Sequence, residues 1–363
     1  GVRVHALHSA LGLLSPLLTH QLGRPVVHRR AIERLLGGDV DVVHFHNVSL
    51  VGGPGILGYG DALKLYTAHE HWLVCPTHVL WRHDREPCAG RQCLRCLAHY
   101  RRPPQLWRWS GLLERGARHV DAFCSPSRFS IDKHREFGFE PPMTLLPPFL
   151  PEESSSSGGA APVADDRPPM FLFVGRLERI KGLDDVIPLF AGADETAELW
   201  IAGDGTHERE LRRLAASAPR VRFLGRVEPE RVRGLLREAR ALVVPSAGFE
   251  VFPLVLLEAF REGTPVIARR LGPFPEVVDA TGGGLTFTTS DELRAAIGRL
   301  ANDRQLERRL GANARAAFDS QWSERAFLER YFELIATLAR RKGRESLLAR
   351  CPRAVLGANI TRA

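Results

Sequence analysis

The chain has 363 residues, enough for two domains with separate cores, and its apolar (44%) and charged (25%) fractions are those of an ordinary globular protein. A formal charge of +8 comes mostly from Arg, spread along the whole chain. No Arg/Lys block with interleaved aromatics spans a domain, which argues against nucleic acid and leaves anionic ligands or an anionic membrane leaflet as partners for the basic surface.

The chain opens at Gly1 with neither an initiator Met nor a signal-peptide pattern, and so reads as a fragment lacking its true start. No apolar run approaches the ~20 residues of a membrane-spanning helix. Up to residue 150, apolar runs alternate with helical patterns: "VDVVHFHN" (Val40–Asn47), "LKLYTAHEH" (Leu63–His71) and "VDAFCSPS" (Val120–Ser127) read as buried strands. "PEESSSSGGAAPVADDRPP" (Pro151–Pro169) cannot bury enough apolar surface to order itself and reads as a linker. From residue 170 to 325 the strands are "MFLFVGRL" (Met170–Leu177), "ELWIAGDG" (Glu198–Gly205), "VRFLGRV" (Val221–Val227), "ALVVPS" (Ala241–Ser246) and "PVIARR" (Pro265–Arg270). Helical stretches such as Glu208–Ala216 and Glu230–Ala239 lie between them. Continuous apolar strands alternating with helices imply α/β architecture, two doubly wound Rossmann-like domains with parallel sheets covered on both faces. Phe327, Leu328, Tyr331, Leu334, Ile335 and Leu338 then mark one amphipathic helix over 326–342, followed by an unassigned tail, 343–363.

"GFEVFPLVLLEAF" (Gly248–Phe260) places Glu250 and Glu258 around an apolar run. Glu250 falls in the loop after a strand. Pro253 fits the first helical position, and Leu254, Val255 and Leu256 then offer free amides to an anion. An acid inside an apolar helix must be paired, and sugar or ribose hydroxyls would satisfy Glu258; a capping carboxylate with an internal salt bridge is the plainer alternative. "FVGRLERIKG" (Phe173–Gly182) likewise follows a strand, at the sheet edge where open α/β sheets bind ligands. Arg176 and Lys181 would clamp a diphosphate there. Lys181 is the only lysine between Lys133 and Lys342, which makes it more telling than one Arg among many.

Together with "LWIAGDG", "EGTPVIARRLGPFPEVV" and "GGGLTF", in this order and spacing, these stretches make the chain resemble the GT-B fold, family 4 retaining glycosyltransferases, strongest in its second half. The resemblance implies two Rossmann-like domains facing a central cleft, a C-terminal helix over 326–342 that braces the N-terminal domain, and transfer of a sugar from a UDP- or GDP-linked nucleotide-sugar donor to a glycan or lipid-linked acceptor, in cell-envelope or polysaccharide biosynthesis. It implies that Arg176 and Lys181 bind the donor diphosphate, Glu258 the ribose, Glu250 the donor sugar, and Gly225, Arg226 and Val227 the base. Gly175, Phe252, Leu254 and Val255 complete the donor side. "TAHEH" resembles the family's strand-end His motif, which puts His69 beside Glu250 as catalytic; His46 and Asn47 fall on the acceptor side. Val251 and Pro253 stand where the family has glycines, and the family's first strand and Gly-rich loop have no counterpart. A non-catalytic nucleotide-sugar-binding or scaffold protein of the same fold is therefore the alternative, and an epimerase a weaker third.

No catalytic metal is expected. "DVD" (Asp39–Asp41) starts a buried strand, and Arg176, Lys181 and the helix start can neutralise the leaving diphosphate. In the insertion over 75–99, Cys75, Cys88, Cys93 and Cys96 have spacing that allows a structural zinc, against reduced thiols or one disulfide. "HYRRPPQLWRWSGLLERGARH" (His99–His119) reads as a surface helix packing its aromatic side on the domain, with peripheral contact to an anionic membrane as the alternative. The expected location is cytoplasmic, with any membrane contact on its inner face.

Overall fold

The computed structural model describes residues 2–151, 167–192 and 196–350. Most of the expected linker and of the expected tail lies outside them. The chain divides into two compact units: residues up to His83, Gly90–Leu146 and Leu328 onward form the first, Asp84–Ala89 and Pro147–Phe327 the second.

In the first unit, helices α1 (Ser15–Leu22) and α2 (Arg29–Leu36) precede strand β1 (Val42–His46), followed by β2 (Leu63–Thr67), α3 (Cys93–His99), α4 (Leu112–Ala117), β3 (Ala122–Ser125), α5 (Arg128–Glu136) and β4 (Met143–Leu145). All pairs are parallel and the order is β1-β2-β3-β4. Alternation along the strands splits the side chains between two cores. Val43, Phe45, Tyr66 and Phe123 join Ile56, Leu57, Trp72 and Trp107 on one face. Leu63, Leu65 and Ala122 on the other meet Ile335, Leu338 and Ala339 of α12 (Glu324–Arg341).

The second unit holds β5 (Met170–Val174), β6 (Glu198–Ala202), α6 (Glu208–Leu214), β7 (Val221–Gly225), α7 (Pro229–Glu238), β8 (Ala241–Val244), α8 (Leu254–Arg261), β9 (Val266–Arg269), α9 (Phe274–Thr281), β10 (Gly284–Phe287), α10 (Ser290–Asn302) and α11 (Arg304–Gln321). Its six parallel strands run β10-β9-β8-β5-β6-β7. Phe171, Phe173, Leu199, Ile201 and Ile267 face α6 and α10, whereas Met170, Leu172, Leu242, Val244 and Ala268 face α7, α8 and α9. Both faces are covered, which is why these strands read as unbroken apolar runs. The direction of strand succession reverses between β5 and β8, leaving a crevice at their C-terminal ends.

Three sequence expectations change. Pro253 is not the first residue of α8; it is the cap before it, with ψ 111°, because the ring fixes φ and leaves ψ free. His99–His119 is not one helix: a 3-10 turn (Leu106–Trp109) and α4 are separated at Gly111, whose φ is +66°. Asp39–Asp41 lies before β1 rather than in it.

Candidate functional site

At the C-terminal ends of β5 and β8 two loops of the second unit meet. The loop after β5 turns through Arg179–Lys181 and ends at Gly182, and the loop after β8 runs from Pro245 to Pro253. Main-chain bonds join them: the Ala247 and Gly248 amides donate to the Ile180 carbonyl at 2.8 and 3.3 Å. Gly182 takes φ +72°, and a Cβ there would lie 2.2 Å from the Pro245 oxygen, so the close approach requires glycine. Arg269 of β9 donates from Nε to the same Pro245 carbonyl at 2.9 Å and from its other end to Asp185 at 2.5 Å.

This frame brings Lys181 and Glu250 together. Lys181 Nζ donates to Glu250 Oε1 at 2.5 Å, and the Ser246 hydroxyl donates to the same oxygen at 3.0 Å. Both charged side chains are about one-fifth exposed, at 21% and 22%. Ser246 had no signal of its own in the sequence beyond ending an apolar run. Glu258, on the second turn of α8, is half-buried; burial raises its carboxyl above the ordinary glutamate range, and Arg261 only partly offsets this.

The other donor-side residues are less gathered. Arg176 is 71% exposed and donates to Glu178 at 2.7 Å. Gly175 follows β5, its amide bonded to the Ala202 carbonyl at 3.0 Å. Gly225 closes β7 and accepts from Gly203, while Arg226 is exposed and Val227 packs at the margin of the second core. At α8, Leu256 donates to the Pro253 carbonyl at 3.1 Å, so two amides, Leu254 and Val255, remain where three were expected. Leu254 is exposed, and Phe252 and Val255 rest partly buried on the core below.

In the first unit, β1 and β2 pair so that His46 stands opposite Thr67. His46 Nδ1 and His69 Nε2 lie 2.6 Å apart, one donating to the other, with rings stacked at 4.9 Å. Asn47 turns the chain out of β1 with φ 45°. The sequence singled out His69 and His46 and missed their neighbour His44, which bonds Thr67 Oγ1 at 2.7 Å and stacks on Tyr331 at 5.4 Å. Its position two residues before His46, on the same face of a strand, was the available signal. Burial, then the neighbouring His46 and His69 charges, pushes His44 down to about 4. His46 falls to about 4 through burial and then His69, and burial lowers His69. In each case the shift favours the neutral ring.

Among the described residues, no three His, Cys, Asp or Glu side chains form a group that could hold a metal ion. Cys75 is buried with its sulfur 3.2 Å from Thr77 Oγ1, and the Cys96 thiol is directed at the Trp81 carbonyl.

Residues 160–317 match the family described as glycosyl transferases group 1. A GDP-mannose-dependent monoacylated alpha-(1-6)-phosphatidylinositol monomannoside mannosyltransferase of Corynebacterium glutamicum is 30% identical over 237 residues, 60% of this chain and 62% of that protein. A D-inositol 3-phosphate glycosyltransferase of Corynebacterium jeikeium is 36% identical over 180 residues, 45% of this chain and 43% of that one. The chain thus spans about two-fifths to three-fifths of the length of these curated relatives. Among solved structures, Anabaena Alr3699/HepE in complex with UDP superposes with a TM-score of 0.63 at 17% identity, covering 91% of this chain and 84% of that one. A sucrose-phosphate synthase from Thermosynechococcus elongatus gives 0.61 at 22%, covering 83% and 74%. At these identities the structural likeness concerns the fold.

Proposed function

With its residues 160–317 belonging to the glycosyl transferases group 1 family and two Rossmann-like domains of GT-B type, we propose that the chain moves a sugar from a nucleotide-sugar donor to a glycan or lipid-linked acceptor. The observation that carries this reading is the Lys181–Glu250 pair at the strand-order reversal of the second unit. Lys181 has three N–H donors and spends one on Glu250, leaving others for a diphosphate. Glu250 is fixed through Oε1 by Lys181 and Ser246, which leaves Oε2 to accept from a sugar hydroxyl. Glu258 is to accept from ribose hydroxyls, and Arg226 with Gly225 and Val227 to border the base.

The leaving diphosphate gathers negative charge as the glycosidic bond breaks. Lys181, Arg176 and the Leu254 and Val255 amides supply fixed positive charge and dipoles for it, so the reading needs no catalytic metal. By resemblance, the anomeric configuration is retained, His69 serves the donor sugar, and His46 and Asn47 serve the acceptor. A protein that binds donor without turning it over would share the same site, and product analysis separates the two.

The test is calorimetric titration of the purified chain with UDP- and GDP-sugars. Saturable binding of one of them is expected, weakened roughly ten- to a hundredfold in Lys181→Ala, as for loss of a charge-assisted bond. Glu258→Ala should weaken it less. Absence of saturable binding, or affinities unchanged in both variants, refutes the assignment.

A further inference from the structure

The two sequence features that the donor reading leaves unused, the Cys-rich insertion and the Arg/Trp segment after it, meet in the first unit around a cavity of about 890 Å³. One wall is the N-terminal part of α3, with Cys93, Leu94, Arg95 and Leu97; another is the turn Leu106–Trp109 with α4; the floor is Phe123 of β3 with Phe137 and Phe139. The volume is that of a small-molecule site. Its lining mixes aliphatic and aromatic side chains (Leu73, Leu97, Leu113, Trp107, Phe123, Phe139) with arginines, glutamines and three acids. The Gln105 side-chain oxygen accepts from Arg108.

Arg108 gives the cavity its chemistry. Its guanidinium donates to the Trp72 carbonyl at 2.6 Å, to the Leu73 carbonyl at 3.4 Å and to Gln105, and lies over the Trp107 ring at 4.5 Å. All of these partners are neutral, and among the described residues no carboxylate pairs with it. Arg108 is partly buried, and a partly desolvated cation without a counter-charge carries a cost that an arriving anion relieves. Arg91, Arg95 and Arg118 also line the cavity. Of the three acids in the lining, Asp121 is committed to Lys342 at 2.5 Å and to the Lys64 amide, while Glu114 and Glu140 are exposed. The lining also includes Leu94 and Trp109, 62% and 63% exposed. Large apolar side chains held in water beside arginines suit the boundary of a bilayer, where tryptophan is favoured.

We propose that this cavity binds an anionic lipid, its acyl chain among the apolar walls and its head group on Arg108, with Leu94 and Trp109 resting in the bilayer surface. Every lining residue belongs to the first unit, whereas Lys181, Glu250 and Glu258 belong to the second.

Two measurements on the purified full chain test it: titration with cis-parinaric acid, read by its fluorescence, and co-sedimentation with phosphatidylcholine vesicles with or without phosphatidylglycerol. Wild-type protein should bind the probe saturably and sediment only with the anionic vesicles. Arg108→Gln should weaken probe binding about tenfold, as loss of a charge-assisted contact does. Leu94→Glu, at an exposed position, should release the protein from vesicles, and Arg294→Gln on α10 should change neither. If Arg108→Gln fails to fold, Leu94→Glu decides, provided it melts like wild type. No saturable probe binding, equal sedimentation with both vesicle types, or a Leu94→Glu protein that sediments normally overturns the proposal. Probe binding without vesicle binding also overturns it, in favour of a soluble acyl anion. Displacement of the probe by a nucleotide sugar would assign the cavity to the donor. Loss of donor binding in Lys181→Ala with intact probe binding would leave the lipid site standing, so the two readings fail separately.

Discussion

Single residues differ in how much of their role a sequence can display. Lys181 was conspicuous as an isolated lysine in an Arg-rich chain, and its pairing with Glu250, 69 positions away, followed from neither residue alone. His69 and His71 looked alike in "TAHEH", yet the fold treats them differently: His69 is bonded to His46, whereas His71 is 1% exposed and, among the described residues, neither of its ring nitrogens has a hydrogen-bond partner. Burial, then the charges of His134 and Lys133, pushes His71 down to about 3. The sign of the consequence is fixed. Above its ordinary value of 6.5 the ring is neutral in both states and costs nothing; as pH falls below 6.5 the unfolded chain takes up a proton that the folded chain refuses. At pH 5 this one ring should lower stability by about 2 kcal/mol relative to pH 7. Urea unfolding at the two pH values should show His71→Leu losing correspondingly less than wild type. An equal loss in both proteins would mean that His71 is protonated in place.

Elements were legible where their chemistry is local. The glycines and prolines that end β5 and β8 marked loops at strand C-termini, and those loops are where the candidate donor residues stand. The start of α8 was misplaced by one residue because proline is acceptable both as cap and as first helical residue; the main-chain ψ decides, and sequence does not report it. The joint between the β5 and β8 loops was invisible, since it consists of backbone bonds from Ala247 and Gly248 to Ile180 and the contact of Gly182 with Pro245. It yields a specific expectation. Gly182→Ala brings a Cβ within 2.2 Å of the Pro245 oxygen and forces a left-handed φ on alanine, so the loops must part. The variant should lose about 1–3 kcal/mol of stability, and donor affinity should fall as Lys181 leaves Glu250. Wild-type donor affinity in Gly182→Ala would show that the joint does not position the lysine.

At the scale of the whole molecule, the fold class was readable because continuous apolar strands separated by helices admit few arrangements other than doubly covered parallel sheets. The cavity beside Arg108 was not, because its lining comes from segments spread between Leu73 and Pro142, none of them unusual alone. Periodicity alone did not place the amphipathic stripe of α12, and it was the family resemblance that implied a brace on the first domain: in its second half, Ile335, Leu338 and Ala339 close the face of the first sheet formed by Leu63, Leu65 and Ala122. The two units therefore have separate cores, and damage to one should be felt locally. Leu338→Asp places an unpaired carboxylate where the side chain is 5% exposed. By large core-substitution costs this should remove about 3–5 kcal/mol from the first unit. Hydrogen exchange followed by peptide should then show faster exchange in β2 and β3, with β5 and β8 unchanged because their cores contain no α12 residue. Equal acceleration in both sheets would mean that the units unfold as one cooperative body.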